Sequence, residues 1–382
     1  MEYKRSLNLL SLLENKSFFL FGPRSTGKTW LIKQQLQGKA IIIGLLTSDN
    51  LIRLTQNPGE IKDIILAHPE KKLVVIDEIQ KIPSLLSEVH QLLDTSDLRF
   101  LLTGSSARKL KKGNADMLAG RAWNASLFPL TFLEIDEFDL EHYLRWGGLP
   151  QVYPSRKPDE ELSAYVETYL REEILAEGLI RKLPPFSRFL KTAALSNGQL
   201  INFTELGNDA AVSPSTVREY FNVLTDTLIG FQLEPWLSSK KRKAIQTAKF
   251  YFFDLGVTHA LANTKNLERN SNLYGASFEQ FIGLELRAYL SYSRIKENLT
   301  FWRSINGQEV DFLIGEKVAI EVKATNRITS SDTKGLRTLA EEGVFKKYYL
   351  VSQDETIMKK DFIECLHWKE FLNRLWSGNG LE

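Results

Sequence analysis

The chain has 382 residues, 43% hydrophobic and 25% charged, a composition that excludes a disordered protein and a length beyond which one core usually stops growing. Its 49 basic and 47 acidic residues leave a formal charge of +2, so no global field draws it to nucleic acid or membrane, and any such partner must be met by a local patch. The single cysteine, Cys365, excludes an internal disulfide framework and a cysteine-cluster zinc site and suits a reducing cytoplasm; no run approaches about 18 apolar residues, so neither export nor a membrane span is expected.

Residues 4–14 read as a short helix, Lys16 to Phe21 as a strand entering a glycine loop, and Trp30 to Gln37 as a helix leaving it. The loop Gly22-Pro23-Arg24-Ser25-Thr26-Gly27-Lys28-Thr29 fits G-x-x-x-x-G-K-[ST] at every fixed position. Glycine lets the backbone turn sharply and approach an anion, so the loop N–H groups can wrap the phosphates of a nucleoside triphosphate. Lys28 would reach the β/γ oxygens and the Thr29 hydroxyl would ligate Mg²⁺. Ala40–Leu46 is a second apolar strand, 59–68 a helix, and Leu73–Ile76 a fully apolar strand running into Asp77-Glu78. Asp77 at the strand tip would hold the Mg²⁺ shell, and Glu78 would orient or deprotonate an attacking water. A helix over 84–94 and a strand Arg99–Thr103, ending in Gly104-Ser105-Ser106, complete a strand–helix alternation that indicates a parallel sheet covered on both faces.

The rhythm then changes. From Glu134 to Gly198 most segments read as helix, broken at Gly147-Gly148-Leu149-Pro150 and Pro184-Pro185. Phe203 opens a helix through Ala211, Val212-Ser213 turns, and Pro214 begins a second helix with Val217, Phe221 and Leu224 joining Leu206 on a buried face. Two strands around Ser238-Ser239-Lys240-Lys241-Arg242-Lys243 make this a winged helix-turn-helix. In a DNA-binding reading, Ser213, Ser215, Thr216 and Arg218 face the groove of double-stranded DNA while Lys240, Lys241, Arg242 and Lys243 meet its phosphates. The competing reading makes the module a lid on the nucleotide domain and leaves the basic turn solvated.

A long helix from Gly275 leads into strands 299–304, 309–314 and 317–323, then a helix 332–342 and a strand 346–351. Alternation puts Glu321 and Lys323 on one face of the second hairpin strand, and twist can bring Asp311 to that face. These groups could hold Mg²⁺ and position a water for phosphodiester attack, with Glu279 of the preceding helix, or Glu285 as alternate, adding a carboxylate. The competing reading is a scaffold whose carboxylates pair with Lys or Arg.

The segments GPRSTGKT, LVVIDEIQ, RFLLTGSSARKL, LAGRAWNASLFPLTFLE and GGLP make the first 150 residues resemble an AAA+-type ATPase domain, as in archaeal and bacterial ATPases that carry a C-terminal domain of unknown function. The resemblance implies ATP over GTP and a contact from Thr103 or Ser105 to the γ-phosphate or the attacking water. It also implies that Arg121 of the Gly120-Arg121 pair stabilises transition-state charge in cis or across a subunit interface, although a purely structural arginine is an equal reading. Arg24 and Arg108 are open between phosphate contact and surface charge. The C-terminal spacing resembles the PD-(D/E)xK restriction-endonuclease-like fold, with Val310 where proline commonly precedes the Asp.

The expected fold is therefore α/β: a P-loop AAA+-like domain over 1–145, a helical linker or lid over 146–198, a winged helix-turn-helix over 199–265 and an α/β restriction-endonuclease-like domain over 266–380. The expected function is a cytoplasmic ATPase using ATP and Mg²⁺ that couples its cycle to DNA through the winged helix and nuclease-like domain, with an oligomer formed through the AAA+ domain. Two alternatives stay open: a nucleotide-gated switch acting on a protein partner without nuclease activity, and a Mg²⁺-dependent DNA nuclease licensed by ATP.

Overall fold

The computed structural model describes residues 3–105, 118, 120–169, 174, 180 and 182–378. Arg108 and parts of the helical reading between 134 and 198 lie outside the described residues. Two compact units are present, Met1–Leu130 with Asp226–Ile229, and Thr131–Thr225 with Gly230–Glu382.

The first unit is built on a five-stranded sheet of β1 (Ser17–Phe21), β2 (Ala40–Gly44), β3 (Leu73–Asp77), β4 (Arg99–Gly104) and β5 (Ala122–Ser126) in the order β2-β3-β4-β1-β5. Every pairing is parallel. Strands β1, β3 and β4 are buried almost continuously along their length, as strands covered on both faces must be, which is why Phe-Phe-Leu-Phe and Leu-Val-Val-Ile form runs and do not alternate. Phe19, Ile43, Val74, Ile76, Phe100 and Leu102 share one core with the helices Ser48–Gln56, Glu60–Leu66 and Leu85–Thr95, which add Leu54, Ile61, Ile65, Leu86 and Val89. Parallel strands deliver their C-terminal ends to one edge, so Phe21, Asp77 and Gly104 end together, where open α/β sheets hold ligands. Strand β5 has no apolar run, since Ala-Trp-Asn-Ala-Ser buries little beyond Ala125. Its pairing with β1 makes it a strand.

The second unit carries an eight-stranded mixed sheet. Its strands are β6 (Gly230–Pro235), β7 (Lys249–Phe252), β8 (Leu299–Arg303), β9 (Glu309–Ile314), β10 (Val318–Lys323), β11 (Lys347–Ser352), β12 (Met358–Lys360) and β13 (Ile363–His367), in the order β12-β13-β11-β10-β9-β8-β6-β7. The hairpin β9–β10 is antiparallel, and β11 runs parallel to both β10 and β13. Helix Asn272–Tyr292 lies close to this sheet at Gly283, where a Cβ would come within 2.6 Å of the Phe312 ring.

Helices Phe203–Ala210 and Pro214–Asp226 form the expected helix-turn-helix, with Ser213 Oγ accepting from the Thr216 N–H at 3.2 Å. Val217, Tyr220, Phe221 and Leu224 are buried. Phe186 and Phe189 of helix Leu183–Leu195 meet Tyr220 and Phe221 edge to face, and Phe221 meets Phe250 of β7. The strands expected as a wing are placed differently. Strands β6 and β7 do form an antiparallel pair, but β6 also pairs parallel to β8 through Glu234–Thr300 and Pro235–Phe301, so they extend the C-terminal sheet. Trp236 enters that sheet's core beside Trp302, Leu336 and Phe345, an apolar anchor that a free wing would not supply.

The Gly147-Gly148-Leu149-Pro150 break has a local cause. Gly147 has φ +74°, and a Cβ there would sit 2.2 Å from Asp254 Oδ1. Asp254 accepts from the Gly148 N–H at 2.8 Å and the Val257 N–H at 3.0 Å, capping helix Leu255–Ala262. Burial pushes its carboxyl up to about 6.

Candidate functional site

The phosphate loop joins β1 to helix Lys28–Leu36. Gly22 has no room for a side chain, since a Cβ would lie 2.6 Å from the Leu127 carbonyl oxygen. Gly27 takes φ 92° and opens the helix without a side-chain cap, so first-turn N–H groups, which have no helical acceptor, are left for an anion. The buried Lys28 ammonium folds back to donate to the carbonyls of Gly22 at 2.7 Å and Pro23 at 3.0 Å, and Thr26 Oγ1 donates to the same Pro23 carbonyl at 2.9 Å. Arg24 and Ser25 are half-buried, and Ser25 stands at φ 62°. Arg5, a residue that belongs to no motif, is buried and donates to the carbonyls of Thr26 at 2.7 Å and Phe128 at 2.6 Å. It ties the loop to the chain leaving β5.

The ends of β3 and β4 complete the edge. Asp77 is buried, and its two oxygens accept from different hydroxyls, Thr29 Oγ1 at 2.7 Å and Thr103 Oγ1. Thr103 Oγ1 also accepts the Glu78 backbone N–H at 2.9 Å. Glu78 itself stands at φ 66°, a left-handed conformation that costs a side-chain-bearing residue about 1–2 kcal/mol and is held here by that bond. Gln80, unassigned by motif, donates from Nε2 to Glu78 Oε2 and to Ser105 Oγ at 3.1 Å. Thus Thr29, Asp77, Glu78, Thr103 and Ser105, expected from three separate segments, form one hydrogen-bonded network with Gln80 as its bridge. The Thr29 hydroxyl beside a buried carboxylate fits a Mg²⁺ ion, which those two groups would hold. Arg121 is exposed and forks onto Asp94, Nε to Oδ1 at 2.9 Å and NH2 to Oδ2 at 3.3 Å, and this hydrogen bond lowers the Asp94 carboxyl below its usual range.

In the second unit Asp311, Glu321 and Lys323 are brought together. Asp311 Oδ2 accepts the Val322 N–H at 2.8 Å, and Lys323 Nζ pairs with Glu321 Oε1 at 2.5 Å. Burial, reinforced by neighbouring carboxylates, pushes Asp311 up to about 7 and Glu321 well above its usual range. Glu279 is near but committed, accepting from Lys249 at 3.1 Å and from the Tyr251 hydroxyl at 2.6 Å. Lys249, unmarked by any motif, also pairs with Glu309 at 2.5 Å. Among the described residues no three His, Cys, Asp or Glu side chains gather as a metal set; of the expected Mg²⁺ group, Glu279 is held by Lys249 and Tyr251, whereas Glu321 Oε2 is buried without a hydrogen-bond partner beside Asp311. The alternate Glu285 is turned elsewhere. Its carboxylate accepts from the Phe132 N–H and the Trp376 indole N–H, each at 2.8 Å.

The expected DNA-facing residues divide. Ser213 Oγ is within 2.8 Å of Ser215 Oγ and 2.9 Å of Thr216 Oγ1, and Arg218 lies 4.7 Å over the Phe203 ring, so these groups satisfy one another at the helix start. The basic turn is fastened. Glu342 accepts from the Ser239 hydroxyl at 2.7 Å and the Lys240 N–H at 2.8 Å, while Arg242 donates to Glu341 at 2.8 Å. The side chains of Lys240, Lys241 and Lys243 remain exposed.

Comparison with known proteins follows the same division. An AAA domain matches residues 14–136, and two domains of unknown function match 137–268 (DUF8612) and 274–371 (DUF4143). The uncharacterized protein Rv2008c of Mycobacterium tuberculosis is 30% identical over 331 residues, 84% of this chain and 72% of that protein. MJ1544 of Methanocaldococcus jannaschii is 25% identical over 356 residues, covering 83% of this chain and 78% of its own. AMPPCP-bound DnaA from Aquifex aeolicus aligns with 13% identity over 59% of this chain and 89% of that one, at a TM-score of 0.28 that is too low to bear on fold or function. No helix among the described residues is long and apolar enough to cross a membrane. On its identity across most of both chains, the protein belongs to the same family as Rv2008c, and its N-terminal unit is an AAA-type P-loop domain.

Proposed function

We propose that the chain is an ATP-hydrolysing switch. The observation that carries this reading is the Asp77 carboxylate held between the hydroxyls of Thr29 and Thr103, with Glu78 next in the chain. Thr29 and Asp77 would hold Mg²⁺, which when bound neutralises phosphate charge. Lys28 leaves its loop carbonyls to reach the β/γ oxygens, the loop N–H groups bind phosphate, and Glu78 orients the attacking water. Thr103 fixes the backbone of Glu78, while Gln80 fixes its side chain against Ser105. The AAA domain match supports ATP over GTP.

For the output of the switch, the exposed Lys240, Lys241 and Lys243 on a backbone pinned by Glu342 support contact with DNA phosphates that carries little sequence information. Regulation of a protein partner is the alternative. The test is phosphate release from ATP with and without duplex DNA. Lys28→Ala should lose nucleotide binding with the fold intact, Glu78→Gln should bind ATP but turn over at least a hundredfold more slowly, and replacing the three lysines with alanine should remove any DNA stimulation. Unchanged ATP affinity in Lys28→Ala refutes the switch, and a DNA response that survives without the lysines refutes the DNA reading alone.

A further inference from the structure

One charged residue of the first unit stands outside every motif yet touches the phosphate loop. Arg5 is 6% exposed, and its guanidinium forks, NH1 donating to the Thr26 carbonyl at 2.7 Å and NH2 to the Phe128 carbonyl at 2.6 Å. A loop that turns its N–H groups to an anion turns carbonyls away from it, and those carbonyls need donors of their own. Lys28 Nζ serves Gly22 and Pro23, Thr26 Oγ1 adds a bond to Pro23, and Arg5 serves Thr26. The segment that carries Arg5 is clipped to the loop's own helix, Lys28–Leu36. Gln35 accepts the Leu9 N–H at 2.7 Å and donates to the Leu7 carbonyl at 2.9 Å, and Leu7 and Leu9 are buried. The other arm of the fork fixes the chain after β5. There the Leu127 N–H donates to the Phe21 carbonyl at 2.7 Å, and the Leu127 carbonyl leaves Gly22 no room for a Cβ.

We propose that Arg5 is the positioning residue of the phosphate loop, the anchor that keeps its shape when Lys28 leaves for a triphosphate, a role that rests on the nucleotide reading of the loop. In the nucleotide-free chain two cationic side chains hold loop carbonyls. Once Lys28 turns to the β/γ oxygens, Gly22 and Pro23 lose its ammonium while Arg5 stays on Thr26. The Arg5 bond therefore counts for more in the bound state than in the free one, and only such a difference between states changes affinity. Each of the two carbonyls has its own nitrogen, NH1 or NH2, a planar fork that the single nitrogen of a lysine does not reproduce.

Binding of AMPPCP with Mg²⁺, followed by calorimetry on the full chain, separates this role from a purely architectural one. Arg5→Met should weaken AMPPCP at least about tenfold and Arg5→Lys at least about fivefold. Gln35→Ala, which loosens the clipped segment but keeps the guanidinium, should weaken it at least about threefold. Leu13→Ala removes a buried side chain from helix Leu9–Asn15. It should lower the melting temperature without touching a loop carbonyl, so AMPPCP should bind within twofold of the parent. A folded Arg5→Met chain that binds within twofold of the parent overturns the proposal. So does a Leu13→Ala chain that loses as much affinity as Arg5→Met, since general loosening would then account for both. If Arg5→Met does not fold, Arg5→Lys and Gln35→Ala decide, and affinities within twofold of the parent in both overturn it. A parent that binds no AMPPCP removes the triphosphate site and this role with it, whereas unchanged affinity in the variants removes the role alone.

Discussion

Thr103→Val is the sharpest probe of the nucleotide edge, because it exchanges a hydroxyl for a methyl of similar shape at a fully buried position. Two interactions disappear together: the donation to Asp77 Oδ1 and the acceptance of the Glu78 N–H at 2.9 Å. A hydrogen bond to a charged group contributes about 1.5–3 kcal/mol and a neutral one about 0.5–1.5 kcal/mol, so unfolding of the first unit should become easier by about 2–4 kcal/mol. Thr103→Ser keeps the hydroxyl and removes one methyl, about 0.8 kcal/mol of burial. The loss should also reach catalysis, since Glu78 stands at φ 66° with its N–H then unsatisfied, and a shift of about 1 Å at such a group can cost a hundredfold. Urea unfolding followed by circular dichroism and steady-state phosphate release measure the two effects, with Thr103→Ser as reference. If the valine variant unfolds with the serine variant and hydrolyses ATP at the parent rate, the Asp77–Thr103–Glu78 network carries neither stability nor turnover.

Gln80→Leu removes the bridge from Glu78 to Ser105; kcat should fall about tenfold or more with KM for ATP little changed, and a kcat within twofold of the parent takes Gln80 out of the positioning role. Gly147→Ala sets a Cβ 2.2 Å from Asp254 Oδ1 at φ +74° and should destabilise the second unit by at least about 2 kcal/mol; an unchanged urea midpoint refutes it. Burial pushes the Glu285 carboxyl from 4.5 up to about 8, so the folded chain keeps a proton that the unfolded chain releases. Its contribution therefore declines as pH rises from about 4.5 to about 8, by up to ~1.4 kcal/mol per pH unit. Glu285→Gln should flatten the stability–pH curve over that window, and curves that superimpose contradict the assignment.

The legible parts of this molecule are those whose chemistry is local in the chain. The phosphate loop, the Asp77-Glu78 strand end and Thr103 each declare themselves within a few residues, because a backbone that approaches an anion and a strand that delivers a carboxylate are short-range demands. The helix-turn-helix was readable for the same reason, through Pro214 and the spacing of Val217, Phe221 and Leu224. What stayed hidden depends on partners far away. Strand β6 joins the C-terminal sheet by meeting β8 at Thr300 and Phe301, more than sixty residues on in sequence, and no local pattern separates such a strand from a wing. Lys249 sits at the head of an apolar strand, Lys-Phe-Tyr-Phe, where lysine reads as a solvated end; only helix Asn272–Tyr292 and β9 reveal it as a buried counter-ion. Gln80 follows two acids in a short turn and takes its role from Ser105, which β4 supplies.

The pairing of β6 with β8 also bears on how such proteins can be divided or recombined. One domain match ends at 268 and the next begins at 274, yet both sides contribute hydrogen-bonded neighbours to a single sheet. A fragment ending near residue 270 would lack β8 and leave β6 with an open row of backbone donors and acceptors, while one beginning there would expose the opposite edge of β8. Such edges invite intermolecular strand addition, so both halves should aggregate when expressed alone. In evolutionary terms the seam between the two domains of unknown function should therefore be a poor crossover point. Exchange of modules among relatives should respect the whole of 131–378 as one inheritable block.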